Sequence, residues 1–304
     1  MPRRGYKRDL LLALLANPAS GRGDAPGVER MLRDCGAEVR SFRLDERDDA
    51  VALGPERIVV AGGDGSIGLA AEAAAGAGVP LAVVPAGTAN DFARALEIPL
   101  DPVEACRLAV EGSGTRSLEL GWMGERPFVN LASTGLSPVA AAKAHGLKRI
   151  FGPLAYSVGA LRAGVSTNPI RCLVSCDGRP LFDGRAWQVS VAVTGAFGGG
   201  SGIEADPHDG EVDVVVIAAT SRARLVVHGY GLRAGRLESQ RGVLSARARV
   251  VEVRTEGETG FNVDGELIEA DGARFRAQAR AFRVVQGPPS WLRGTAGGYA
   301  ARSK

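Results

Sequence analysis

Several stretches of this chain carry residue types at spacings that suit phosphate chemistry. The first is Val59-Val60-Ala61-Gly62-Gly63-Asp64-Gly65-Ser66, a β-branched run entering a glycine cluster with one carboxylate and leaving into an alanine-rich helical pattern. A strand, a glycine turn and a helix start present backbone N–H groups to a phosphate. Gly62, Gly63 and Gly65 permit positive φ and close backbone approach because they lack a Cβ. Asp64 would repel a phosphate unless a cation stands between them, which points to Mg²⁺ rather than simple anion binding. On its own the octapeptide is equally a tight βα turn with an exposed Asp.

Two further loops have the same character. Asn17-Pro18-Ala19-Ser20-Gly21-Arg22-Gly23 offers an amide, a hydroxyl and a basic side chain, all useful around a triphosphate, although Asn-Pro and Ser-Gly are also ordinary turn chemistry. Pro85-Ala86-Gly87-Thr88-Ala89-Asn90-Asp91-Phe92-Ala93-Arg94 leaves a short apolar run and opens a helix. There Thr88 is a phosphate donor or a helix N-cap, and Asp91 a metal-organising acid or a first-turn acid stabilised by the helix dipole.

These loops must be held by regular elements. Residues 10–16 read as a buried strand, 26–36 as a helix, 38–43 as a strand, 57–61 as a strand, 66–78 as a helix and 81–84 as a strand. The basic Arg3, Arg4, Lys7 and Arg8 before Leu10–Ala16 imitate a signal peptide, but Asp9 interrupts the junction and the apolar run is too short. In a parallel α/β sheet, loops at the carboxyl ends of strands line one crevice, which is a nucleotide site in outline. After about residue 114 strand-like alternation dominates, at 116–122, 127–133, 170–177, 186–194, 211–218, 243–254 and 275–285, with helical patterns near 137–145, 152–163 and 222–236. The expected organisation is an α/β nucleotide-binding domain over 1–114, a β-rich substrate-binding domain over 115–285 and a loosely ordered tail over 286–304. The last strand and helix of the first domain are open to contribution from the C-terminal end.

The bulk properties narrow the function. The 304 residues carry a net charge of +3 with 5% aromatics, which argues against a nucleic-acid binder. Cys35, Cys106, Cys172 and Cys176 have no neighbouring His and suit reduced thiols; His145, His208 and His228 are scattered, so neither zinc nor a catalytic triad is indicated. No run approaches a membrane span of about 20 apolar residues. The expected location is the cytoplasm.

Taken together, Asn17-Pro18-…-Ser20-Gly21, Gly62-Gly63-Asp64-Gly65-Ser66, Pro85-…-Gly87-Thr88-…-Asn90-Asp91-Phe92-Ala93-Arg94, Asn130-…-Ser133-…-Gly135, Gly198-Gly199-Gly200 with Ala205-…-Pro207-…-Asp209-Gly210-Glu211-Val212-Asp213, and Val263-Asp264-Gly265-Glu266 resemble the diacylglycerol kinase catalytic-domain family, which spans bacterial lipid kinases, sphingosine kinases and ceramide kinases. In order and spacing they cover about residues 10 to 285. Two positions depart from the family's usual pattern, Ser66 in place of Thr and Thr194 in place of a frequent Asn.

The resemblance implies an N-terminal α/β domain related to NAD kinases and phosphofructokinases, a C-terminal β-sandwich, and an active site in the cleft between them. It implies an ATP- and Mg²⁺-dependent kinase acting on a hydroxyl of diacylglycerol or a similar lipid. Asn17, Ser20, Arg22, Gly62, Gly63, Asp64, Gly65, Ser66, Gly87, Thr88 and Asn90 fall on the nucleotide side. Asp64 and Asp91 resemble the acids that organise Mg²⁺ through water, Asp264 the general base, and Glu266 its supporting acid. Two residues apart in an extended stretch, Asp264 and Glu266 would face the same side; equally, Asp264-Gly265 is the signature of a plain hairpin turn. Asp209 and Asp213 resemble a separate metal site, or else form a solvated turn before a strand.

From 222 to 249 seven arginines (222, 224, 233, 236, 241, 247 and 249) stand against Glu238 alone, either as a membrane-facing surface or as a solvated face. The partners expected are a lipid at the inner membrane surface and, compatibly, a second copy of the chain. The competing readings are a soluble NAD kinase-like enzyme, which shares the Gly-Gly-Asp-Gly loop, and a non-catalytic nucleotide-binding regulator.

Overall fold

The computed structural model describes residues 10–16, 25–136, 168–193, 196–197, 201–202, 209–221 and 240–287. Asn17, Ser20, Arg22, the glycine run 198–200, the three histidines, the helical patterns expected at 137–145, 152–163 and 222–236, and the tail beyond 287 lie outside the described residues.

The first half alternates strand and helix: β1 Leu10–Ala16, α1 Ala25–Asp34, β2 Ala37–Arg43, α2 Arg47–Ala52, β3 Arg57–Gly62, α3 Asp64–Ala77, β4 Leu81–Pro85, α4 Asp91–Ala95 and α5 Pro102–Glu111. The second half is stranded: β5 Gly114–Met123, β6 Arg126–Phe128, β7 Leu131–Gly135, β8 Ile170–Cys176, β9 Arg179–Ala192, β10 Ala196–Phe197, β11 Ser201–Gly202, β12 Val212–Ala218, β13 Val243–Ala248, β14 Val250–Val263 and β15 Glu266–Gln286. Leu10–Ala16 consists of good helix formers, yet parallel pairing with β2 and β3 and burial of the run make it a central strand.

In the first half β2, β1, β3 and β4 pair in parallel in that order. Strand order therefore reverses between β1 and β3, and the crevice beyond their carboxyl ends is where such sheets take ligands. The glycine turn 62–65 opens there. Leu12, Leu14, Val59, Val60 and Val83 are buried with α1, α3 and α5 over them. At the start of α5, Asp101 accepts hydrogen bonds from the N–H groups of Val103 and Glu104, both at 3.0 Å, with Pro102 as the first helical residue. Asp101→Ala is expected to cost about 1 kcal/mol in urea unfolding, because two N–H groups of the first turn lose their acceptor.

The second half is built on β14 and β15, joined by the two-residue turn Asp264–Gly265. Around them pack β7, β8, β9 and β12, enclosing Phe128, Val191, Val214, Val251, Phe261 and Phe275. The sequence pattern shows only 275–285 of β15. The strand is 21 residues long, and its final part returns to the first half, where Val284 pairs in parallel with Leu81 of β4. Phe282, Val284 and Val285 thus belong to the core of the α/β half. Likewise β5 sends Leu118 and Leu120 into that core and Met123 into the other. Two cores are stitched together by strands they share.

Candidate functional site

The turn after β3 shows what its glycines are for. None of Gly62, Gly63 and Gly65 has positive φ; Gly63 is extended at φ −93°, ψ −177°. Conformational freedom is therefore not the requirement here, and close approach is. A Cβ on Gly87 would lie 2.6 Å from the Cα of Gly63, so the turns after β3 and β4 touch backbone to backbone. A Cβ on Gly62 would meet the Ser66 Oγ at 2.8 Å. Ser66 is buried and braces its own turn rather than standing clear for a phosphate oxygen. Thr88 is exposed and is not a helix cap; the N-cap of α4 is Asn90, at φ 52°. The Asn90 side chain folds back on the loop, accepting from the Gly87 N–H at 2.9 Å and donating to the Gly87 carbonyl at 3.1 Å.

Asp64 begins α3 and ties this loop pair together. Its Oδ2 accepts from the N–H of Asp91 at 3.2 Å, and its Oδ1 from the N–H of Phe92 at 2.9 Å. The same Oδ1 accepts from the Nδ2 of Asn130 at 3.3 Å. The carboxylate thus caps α4 from outside and reaches the β-rich half. Asp91, buried at the start of α4, stands beside it.

Asn130 occupies the gap between β6 and β7, where the sequence pattern suggests one strand over 127–133. The interruption has a use. The N–H groups of Val129, Asn130 and Leu131 all donate to the Asp264 carboxylate, at 2.7, 3.0 and 3.0 Å. Asp264 and Gly265, at φ 47° and 94°, form the two-residue turn between β14 and β15. These are the paired positive φ values of a type I′ hairpin. The hairpin and the site are one object: the turn lifts the carboxylate into the break between β6 and β7. Burial, above all, pushes the Asp264 carboxyl up to about 7, and the nearby Asp64 charge adds to this, while the three backbone donors pull the other way.

Glu266 corrects an expectation. It does not share a face with Asp264 on an extended run, because the turn intervenes. Its carboxylate accepts from the guanidinium of Arg126 and packs on the first turn of α3; a Cβ on Gly65 would lie 2.8 Å from its Oε1. Arg126 is not among the residues singled out from sequence. No motif marks it; it is carried to Glu266 because the next residues of its own chain, Val129 to Leu131, bind the Asp264 carboxylate at the hairpin turn.

Asp209 and Asp213 are brought together, and Arg247 joins both: it bonds the Asp209 carboxylate and places Nε 3.3 Å from Asp213 Oδ1. The guanidinium supplies positive charge where a second metal was expected, and among the described residues no group of three or more His, Cys, Asp or Glu could hold a metal ion. Of the arginine-rich segment, Arg241, Arg247 and Arg249 are described; all three are exposed, and Arg247 pairs with these acids.

Comparison with known proteins agrees with this architecture. Residues 11–123 match the diacylglycerol kinase catalytic domain, and residues 130–286 match the YegS C-terminal NAD kinase beta sandwich-like domain. A Pseudomonas fluorescens protein named "Probable lipid kinase YegS-like" is 34% identical over 246 residues, covering 78% of this chain and 79% of that protein. A Mycobacterium tuberculosis protein named "Diacylglycerol kinase" is 28% identical, covering 90% of this chain and 94% of its own. A crystal structure titled as a diacylglycerol kinase from Bacillus anthracis superposes with a TM-score of 0.72 at 19% identity, over 93% of this chain and 99% of its own, a likeness of fold. With two glycine turns in backbone contact, a hairpin acid set in a broken strand, and both domain models matched in order, this chain belongs to the diacylglycerol kinase catalytic-domain family of lipid kinases, with the YegS-type second domain.

Proposed function

We propose that the protein transfers the γ-phosphate of ATP to a hydroxyl of diacylglycerol or a related lipid, giving a phosphatidic-acid-like product. One observation carries this reading. Asn130 links Asp64, on the phosphate-loop side, to Asp264 in the β-rich half, donating to the first through its side chain and to the second through its backbone. An acid placed to accept a proton is thereby held at a fixed distance from loops suited to a nucleotide.

Phosphoryl transfer needs positioning, charge neutralisation and an oriented nucleophile. The lipid hydroxyl oxygen bonds to the γ-phosphorus as the bond to the β,γ-bridging oxygen breaks, ADP leaves, and the hydroxyl proton passes to Asp264. A carboxylate anchored by three N–H donors cannot swing away from that task. Asp64 and Asp91 fit Mg²⁺ as hard oxygen donors on adjoining loops; with Asp64 already accepting three N–H groups, they would hold it through water. When bound, the ion offsets charge on the phosphates.

No described helix is long and apolar enough to cross a membrane, and the proposed acceptor would be met at a membrane surface, with Arg241 and Arg249 exposed nearby in sequence. The test is transfer of labelled γ-phosphate to lipids in mixed micelles, with NAD and nucleosides alongside. Label on a lipid that is lost in Asp264→Asn is the expected result. Label on NAD alone would move the protein to the soluble small-molecule kinases. ATP binding with nothing labelled would favour the non-catalytic regulator.

A further inference from the structure

Asp64, Asp91, Asp264 and Glu266 gather acids around loops that are to receive a triphosphate. Such a site needs cations, and Arg126 is one, bonded to Glu266. It lies on β6, and its Nη2 donates to Glu266 Oε2. The two side chains keep 32% and 43% of their exposure. An ion pair that open contributes little to stability, so stability alone does not account for it.

Its placement is specific. Glu266 fills the space a Cβ on Gly65 would take, and the Pro127 carbonyl, next to Arg126, lies 2.7 Å from where a Cβ on Gly68 would stand. Two glycines on one face of α3 therefore admit this strand and this acid, which sets Arg126 beside the turn 62–65. The bond to Glu266 engages Nη2, one of three nitrogens in a group with five N–H donors suited to phosphate oxygens.

We propose that Arg126 binds the terminal phosphate of the nucleotide, with Glu266 holding the guanidinium beside the glycine turn beforehand. This rests on the kinase reading in so far as a nucleoside triphosphate binds at that turn. The arrangement pre-orients the cation, so less side-chain freedom is lost when the phosphate arrives.

Calorimetric binding of ADP and of a non-hydrolysable ATP analogue tests this without turnover. Arg126→Gln is expected to weaken the triphosphate analogue by about 10–100-fold, the worth of a charge-assisted hydrogen bond. ADP affinity stays within about threefold and reports that the variant is folded, and Arg126→Lys recovers part of the loss. The loss persists when Glu266→Gln is already present. Equal losses for ADP and the triphosphate, or no loss, would overturn the assignment. So would a loss that disappears in the Glu266→Gln background, because Arg126 would then act only by placing Glu266. A wild type that binds neither nucleotide overturns the kinase reading along with it, whereas binding without dependence on Arg126 overturns this inference alone.

Discussion

Phosphate transfer is expected to rise about tenfold per pH unit on the acid side of pH 7 and to level off above it, and Asp264→Asn to lower kcat by about 10²–10⁴-fold. The reason is the place of this carboxyl group. Burial lifts it from its ordinary 3.8 to about 7, so it must lose its proton before it can accept one from an alcohol. A base poised near neutrality combines a useful ionised fraction with useful proton affinity. The same shift has a consequence for stability. Between about pH 4 and 7 the folded chain holds a proton on Asp264 that the unfolded chain has released. The native state then binds more protons than the unfolded one, so this group makes stability fall as pH rises through that window. Below the window both states are protonated and the contribution is flat. Urea unfolding at pH 4.5 and 7.5 should show a steeper decline for wild type than for Asp264→Asn (about those two pH values, on either side of most of the change). Parallel declines would rule out the shifted carboxyl as their source.

Gly87→Ala is expected to lose stability by about 1–3 kcal/mol, the range for overpacking, and to lose kcat/KM on the order of 10²-fold. Its new methyl would stand 2.6 Å from the Gly63 Cα and 2.8 Å from Asn90 Oδ1. Backbone lies on the first side and a loop-closing hydrogen bond on the second, so neither neighbour can yield without parting the two phosphate loops. Gly76→Ala is the matched control. Gly76 lies on the exposed face of α3, a Cβ there meets nothing within 4 Å, and its φ is not positive. That substitution should stabilise by about 0.5–1 kcal/mol and leave the rate unchanged. Thermal unfolding and steady-state kinetics on the pair separate the two effects; equal behaviour would mean that contact between the turns is not what Gly87 provides.

Apart from α2, which no sequence pattern marks, the order of strands and helices through Leu96 is readable from the chain, because apolar runs of four to seven residues bounded by Gly, Pro and Asn leave little choice of element. The sequence also drew attention to Asp64 and Asp91 in their glycine-marked loops, whereas Asp264 and Glu266, which locally read as a plain Asp-Gly hairpin, stood out only through the ordered set of motifs that resembles the family. Tertiary structure decided what each turn is for. Gly62, Gly63 and Gly65 allow either positive φ or close approach, and the contact with Gly87, which comes from another strand, makes their bareness a matter of space. Glu266 was expected to face the same side as Asp264; the type I′ turn between them sends one carboxylate into the break between β6 and β7 and the other to Gly65 and Arg126. Arg126 and the amide of Asn130 carry no local signal of their roles, because each acquires its partner across 140 and 66 residues of chain respectively. The long β15 was legible only over 275–285, since its earlier residues are partly exposed and lack the apolar alternation of a covered strand. Periodicity reports how a segment meets its neighbours' bulk. Which neighbour it meets is settled by the sheet order, and in this protein the sheet order assembles the site.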